Sequence, residues 1–250
     1  MTLVAKSLEN LLTKLQISNE NIEYVHLITV ANQAYLKIVI NELENLKKKE
    51  NKVINFDFLM RIYNKHIKEH QVMFLLFNIF ETAIRSKAVT ILSEKYSSPN
   101  EDNWLHSQEK IPSKIQRPWD EAIKKMKQDN EDIKDVDSFI IFDYIMLGQL
   151  KAIYFDFWSD LSYLFDEKNV NGHKLSKIGK RKFKEMFDDI RKARNDNAHH
   201  KPLHNTRKRR HQIIAFIEII LVHIGFNLDD AINNIDPFHK IIILKYQRNS

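Results

Sequence analysis

The chain has 250 residues, of which four are glycine, five are proline and none is cysteine. Without cysteine there is no disulfide framework, no thiolate nucleophile and no cysteine-ligated zinc, and a reducing cytoplasm is the expected location. So little glycine leaves no phosphate-cradling loop and argues against a hairpin-rich sheet. A formal charge of +6, from 39 Lys and Arg against 33 acids, on a chain with 43% hydrophobic residues points to a basic, soluble, all-α protein.

In chain order, Leu8, Leu11, Leu12 and Leu15 recur at helical spacing and mark a first helix. Ser18 or Asn19 is the expected N-cap of a second, from about Asn21 to Leu46, with Ile22, Val25, Ile28, Ala31, Leu36 and Val39 inward. It dissolves into the lysine run after Leu46, read as a solvated helix end and linker. A third helical stretch begins near Asn55 and, after a break around Glu69, continues to Tyr96. Residues 97–112 read as loop, with Pro99 and Pro112 and few periodic apolar positions. Helices resume near Lys114, and an acidic loop follows with Asp129, Glu131, Asp132, Asp135 and Asp137. Then come an aromatic-rich run from Phe139 to Phe165, a helix over roughly Ser176 to Arg194, and a last long helix from Arg207 to Gly225, which closes it. The apolar run from Ile213 to Phe226 is a buried helix, since it contains Glu218 and His223 and is shorter than the roughly 20 residues a bilayer needs. No membrane partner is expected.

Charge is unevenly spread. Residues 172–211 hold 14 Lys and Arg against 4 acids, a local +10, so the rest of the chain sums to −4. Five of the 11 histidines, His173, His199, His200, His204 and His211, fall in the same window. A patch of this sign attracts phosphate polyanions and speeds their encounter; a solvated helix face is the alternative reading. Arg207 to Arg210 spell RKRR at a helix start, where cations oppose the macrodipole. That cost is easier to understand if the cluster meets phosphate.

Within the window Arg194 and Asn195 are followed, after four-residue spacing, by His199. Arg-x4-His with a polar residue after the arginine resembles the signature of the HEPN superfamily (higher eukaryote and prokaryote nucleotide-binding domains). Two further segments resemble its Abi-like branches. Glu81 and Arg85, in FETAIRSKAVTILSEKY, are four apart and so share a helical face. Asp143, Tyr144, Gly148 and Leu150 match a mid-domain helix written D-Y-x-x-x-G-x-L. The matches come in family order over about residues 72–225. The resemblance implies an N-terminal helical segment over 1–71, a HEPN-type helical bundle over 72–226 and a short C-terminal element over 227–250. It implies a metal-independent endoribonuclease without cofactor, such as a toxin or antiphage abortive-infection effector, acting on RNA. It implies a homodimer with a composite active site, and an antitoxin or regulatory RNA as a further partner. A catalytically inactive RNA-binding or protein-interaction module is the alternative.

The expected catalytic residues are Arg194, Asn195 and His199. Imidazole, with an ordinary pKa near 6.5, exchanges protons at neutral pH, a role worth about 10² to 10⁴ in rate. The planar guanidinium of Arg194 can bind two phosphate oxygens and hold the charge of a phosphorane, and Asn195 positions the phosphate or the imidazole. His200, Lys201, Arg85, Arg191 and Arg207 are expected auxiliary phosphate contacts, with Glu81 in support. A regular helix sets Arg194 and His199 about 140° apart around its axis, so one helix does not converge them; Pro202 permits a bend. Lys201 stands where HEPN toxins paired with nucleotidyltransferase antitoxins commonly carry the modified tyrosine, so that regulation is not expected.

Two other patterns carry weaker readings. His66, Glu69 and His70 spell H-x-x-E-H, an inverzincin string, but no third ligand follows from spacing and a polar helix face is the favoured reading. Tyr154, Phe155, Phe157 and Trp158 are able to stack on RNA bases, yet an aromatic stripe at helical spacing reads as core.

Overall fold

The computed structural model describes residues 31–50, 55–98, 101–102, 104–105, 113–131, 133, 136–202, 207–238 and 240–247. The helix marked by Leu8 to Leu15, the cap at Ser18 or Asn19, and His204 lie outside them. The described chain is all-α with one short hairpin. Its helices are α1 (Gln33–Glu50), α2 (Phe56–Tyr96), α3 (Gln116–Gln128), α4 (Ser138–Asp143), α5 (Leu147–Asp156), α6 (Trp158–Leu161), α7 (Lys180–Ala198), α8 (Arg207–His223) and α9 (Leu228–Ile232), with strands β1 (Lys168–Val170) and β2 (His173–Leu175). None of these helices is long and apolar enough to cross a membrane.

The described residues form two compact units. The first takes those up to Phe74 together with Asn195–Arg210. Asn32 caps α1, its Oδ1 accepting from the N–H groups of Ala34 and Tyr35 at 3.0 and 3.3 Å. Leu36, Val39, Ile40 and Leu43 recur at helical spacing and pack on Phe56 and Leu59 at the start of α2. That helix is itself capped by Asn55, whose side chain accepts from Phe58 N–H at 2.9 Å.

The expected break around Glu69 does not occur. The helix α2 runs unbroken through 41 residues that include neither glycine nor proline. Its polar stretch stays helical because its side chains find partners: His66 meets Glu42 at 2.9 Å, and Glu69 pairs with Arg210.

The second unit takes Leu75–Arg194 and the described residues from His211 on. Its centre is aromatic. Phe80 meets Phe187 at 5.6 Å, Phe183 lies 5.3 Å from Tyr154 and 4.9 Å from Phe165, and Trp158 stacks on Phe165. The buried Tyr154 hydroxyl donates to the Ile84 carbonyl at 2.8 Å, which gives its one polar atom a partner. Tyr154 and Phe157 are thus core, as their spacing suggests; Phe155 instead faces Lys180, whose ammonium lies 3.8 Å from the ring centre.

Three details depart from the helix-only reading. Asn171 and Gly172 both take positive φ, 48° and 76°, and close an antiparallel hairpin between β1 and β2. Asn-Gly is the dipeptide such a two-residue turn prefers. The D-Y-x-x-x-G-x-L segment is two helices: Asp143 ends α4, and α5 starts after an extended Met146, whose N–H is accepted by the Gln149 side chain at 2.7 Å. Finally, α7 begins at Lys180 and reaches Ala198, so it carries the arginine of the motif inside a helix rather than at its end.

The apolar helix α8 is buried along most of its length and stops as expected. Gly225 takes φ 81°, Phe226 N–H reaches the Leu221 carbonyl at 2.9 Å and Gly225 N–H the Val222 carbonyl at 3.1 Å, a Schellman end. The buried Glu218 carboxylate accepts the backbone N–H groups of Lys245 at 2.9 Å, of Tyr246, and of Gln247 at 3.1 Å. The Gln247 side chain then bonds Leu228 N–H and the Phe226 carbonyl. A charge inside an apolar helix here fastens the C-terminal segment.

Candidate functional site

Arg194 belongs to the second unit. Glu81 sits between two guanidiniums there: Oε1 accepts from Arg85 Nη2 at 3.0 Å and Oε2 from Arg194 Nη2 at 3.1 Å. The Glu81 and Arg85 side chains are 11% and 15% exposed, whereas Arg194 is 36% exposed. Arg85 also donates to the Ile145 carbonyl at 3.2 Å. It is therefore a brace that ties α2 to the turn before α5, not an outward-facing phosphate contact. Arg194 has five N–H donors in a rigid fork, one of them on Glu81, and its side chain is partly exposed. Gly148 completes the group, with Arg191 side-chain atoms 3.9 Å from where a Cβ would sit. Arg191 itself lies 3.8 Å from Asp188, which also pairs with Lys151 at 2.7 Å.

Asn195 to Lys201 belong to the first unit. Here α7 ends in a second Schellman arrangement: Lys201 N–H reaches the Asp196 carbonyl at 2.8 Å and His200 N–H the Asn197 carbonyl at 2.9 Å. The left-handed position falls on His200, with φ 52°. His199 is the last residue before the turn, its N–H still on the Asn195 carbonyl at 3.0 Å. No bend falls inside the motif, which is helical through Ala198; the chain turns only at His200, with Pro202 two residues further on. Asn195, His199 and His200 are exposed.

Asn197, only 1% exposed, is the member of this stretch that points inward. Its Nδ2 donates to the His70 carbonyl at 3.2 Å and to His70 Nδ1 at 3.0 Å, and Tyr35 hydroxyl meets the same Nδ1 at 2.8 Å. An amide NH₂ only donates, so Nδ1 must accept and the proton of a neutral His70 sits on Nε2. Burial holds His70 below the usual histidine range, and the nearby His200 adds to this. The His70 and His200 ring centres are 5.3 Å apart. Burial, with a smaller contribution from Glu69, raises the Tyr35 hydroxyl to about 12, so it is a hydrogen-bond donor throughout the physiological range.

His66, Glu69 and His70 line a cavity of about 540 Å³ in this unit, together with Tyr35, Pro202, Arg207 and Arg210. Among the described residues no three His, Asp or Glu side chains are grouped to hold a metal. The H-x-x-E-H groups are engaged otherwise, His66 by Glu42, Glu69 by Arg210 and His70 by Tyr35 and Asn197. Arg207 and Lys201 are exposed.

Sequence reasoning missed Asn197 and Tyr35, and noted His70 only within the H-x-x-E-H string. A signal for the first was available: Phe183, Met186, Phe187, Ile190 and Ala193 form the buried stripe of α7, and Asn197 is its next member. No such pattern links His70 to residues more than a hundred positions away. Comparison of the chain with family models, curated proteins and solved structures found no match.

Proposed function

We propose that the chain is a metal-independent endoribonuclease of the HEPN kind, a toxin or abortive-infection effector acting on cellular or phage RNA. The supporting observation is convergence. Two of the segments matched separately in the sequence meet the arginine of the third in one compact unit, where Glu81 joins Arg85 to Arg194, Arg85 reaches Ile145, and Gly148 lies against Arg191. Such a brace fixes a guanidinium at the surface, which is what charge stabilisation of a phosphorane needs. The local +10 of residues 172–211 supplies attraction for the polyanion.

In the reaction the ribose 2′-oxygen attacks the adjacent phosphorus and loses its proton, while the P–O5′ bond breaks and the 5′-oxygen gains one. The exposed His199 is the motif's proton-transfer group, Arg194 holds the phosphorane oxygens and Asn195 orients phosphate or imidazole. Two copies of the chain pair so that their motifs face each other. Purified protein is expected to cut single-stranded RNA with chelator present, and His199→Ala and Arg194→Ala each to lower the rate at least about 100-fold. A forced monomer with full activity would remove the dimer.

A second reading has its own support. Arg194 already gives a hydrogen bond to Glu81, as a purely structural arginine does. A catalytically inactive RNA-binding or protein-interaction module would bind RNA without cutting it, and both substitutions would leave that binding unchanged.

A further inference from the structure

His200 occupies a position where its own backbone is strained. At the residue after a helix end a left-handed conformation normally falls to glycine, and histidine is one of the few residues with a Cβ that take it with any frequency. A histidine kept at φ 52° invites the question of what its ring does. The ring lies over His70, and His70 is the most tightly positioned imidazole of this unit: Tyr35 and Asn197 hold its Nδ1, and Asn197 also holds its carbonyl. The His200 carbonyl is itself met by the Asn32 side chain at 3.5 Å. One neighbouring ring, itself held by Tyr35 and Asn197, and one contact to its backbone from Asn32 thus bear on this exposed imidazole, next in sequence to the proposed base.

Cleavage by 2′-hydroxyl attack needs two proton transfers, and within one chain the Arg-x4-His motif supplies one histidine, with His200 directly beside it. We propose that His200 is the second proton-transfer residue of the ribonuclease, delivering a proton to the 5′-oxygen, and that His70, held by Tyr35 and Asn197, is its positioning residue. The inference rests on the ribonuclease reading. As the 2′-oxygen bonds to phosphorus, His199 takes the 2′ proton. As the P–O5′ bond breaks, the imidazolium of His200 gives its proton to the leaving oxygen. The products are a 2′,3′-cyclic phosphate and a 5′-hydroxyl, with one proton moved onto His199 and one off His200; exchange with water restores both. His70 suits the supporting place because burial and His200 both disfavour its own cation, which leaves a neutral ring beneath the acid.

An RNA with sulfur in place of the bridging 5′-oxygen tests this, because a thiolate leaves without being protonated. His200→Gln is expected to cut ordinary RNA at least about 100-fold slower than wild type, yet to cut the 5′-sulfur RNA within about tenfold of it. His199→Gln should be slow on both. Tyr35→Phe, which keeps the ring and frees His70 Nδ1 of one donor, should show a smaller loss on ordinary RNA that also vanishes with sulfur. Equal losses of His200→Gln on the two substrates, or no loss on RNA, would overturn the role of His200 alone. Wild-type protein that cuts neither substrate overturns the ribonuclease reading and this role with it.

Discussion

Two helices of this chain stop in the same way, and the difference between the two stops is instructive. The end of α8 puts Gly225 in the left-handed position, and beyond it Glu218 and Gln247 take up the backbone N–H groups of Leu228, Lys245, Tyr246 and Gln247. The end of α7 puts His200 there, leaves two histidines exposed and keeps Asn197 Oδ1 buried without a hydrogen-bond partner. One end is built for stability. The other puts a residue with a Cβ in that conformation, a local strain of the kind that gathers where a structure gives up stability for chemistry.

The fastened end should give the largest stability effect. Glu218→Gln keeps the shape but trades a charged acceptor of three backbone N–H groups for a neutral amide, one face of which donates. A loss of about 3 kcal/mol is expected, from charge-assisted bonds worth about 1.5–3 kcal/mol each. At about 2–4 °C per kcal/mol for a chain of this size the melting temperature should drop by roughly 10 °C. Amide exchange at Lys245, Tyr246 and Gln247 should accelerate in the same variant.

Acid should act through the histidines near both ends. His223 closes α8 at 1% exposure, and burial, aided by the Lys168 charge, holds it below the usual range, while the Leu164 and Ser176 carbonyls pull the other way. His70 is shifted in the same direction. A histidine whose folded pKa lies below its unfolded value of about 6.5 is protonated first in the unfolded chain. Its contribution is therefore complete above about pH 6.5 and is lost as the pH falls below that. Urea midpoints at pH 7.5 and 5.5 should differ, with the lower midpoint in acid. His223→Gln should shrink the difference without abolishing it, because His70 remains.

How far these ends were legible in the sequence follows from what each depends on. Gly225 after an apolar helical run is a local signal, and the stop of α8 was readable from it. The helical character of α1, α2 and α8 was also plain from apolar spacing, but bounds were not: α1 starts at Gln33 after the Asn32 cap rather than running from about Asn21 through Ala31. The Asn-Gly hairpin was readable in principle but was outweighed by the helical surroundings. The break expected at Glu69 failed because partners distant in sequence, Arg210 and Asn197 among them, hold that polar stretch. For the site, the resemblance to family motifs singled out Arg194, His199 and the Glu81–Arg85 pair, and of these the four-residue spacing of Glu81 and Arg85 foretold their contact. That Arg85 braces and that His70 stands under His200 could not, because both depend on pairings between segments far apart in the chain.

Gly225→Ala should cost about 1 kcal/mol: φ 81° is left-handed and the new Cβ meets only open space, so strain of roughly 1–2 kcal/mol is offset in part by the freedom the unfolded chain loses, about 0.4–1 kcal/mol.

The reciprocal change at the other end should be smaller and opposite in sign. His200→Gly relieves a left-handed residue of its Cβ, which is worth roughly 1–2 kcal/mol, but it also frees the unfolded chain by about 0.4–1 kcal/mol and removes the ring from His70. A net gain of about half a kcal/mol is expected in chemical denaturation, alongside a loss of RNA cleavage at least as large as that of His200→Gln. The sign is what matters. If the glycine variant is both less stable and fully active, the two helix ends do not differ in kind, and the histidine is at C′ for packing on His70. If it is more stable and impaired, the strain at φ 52° is held in place by the reaction, because nothing in the folding of α7 asks for a histidine there.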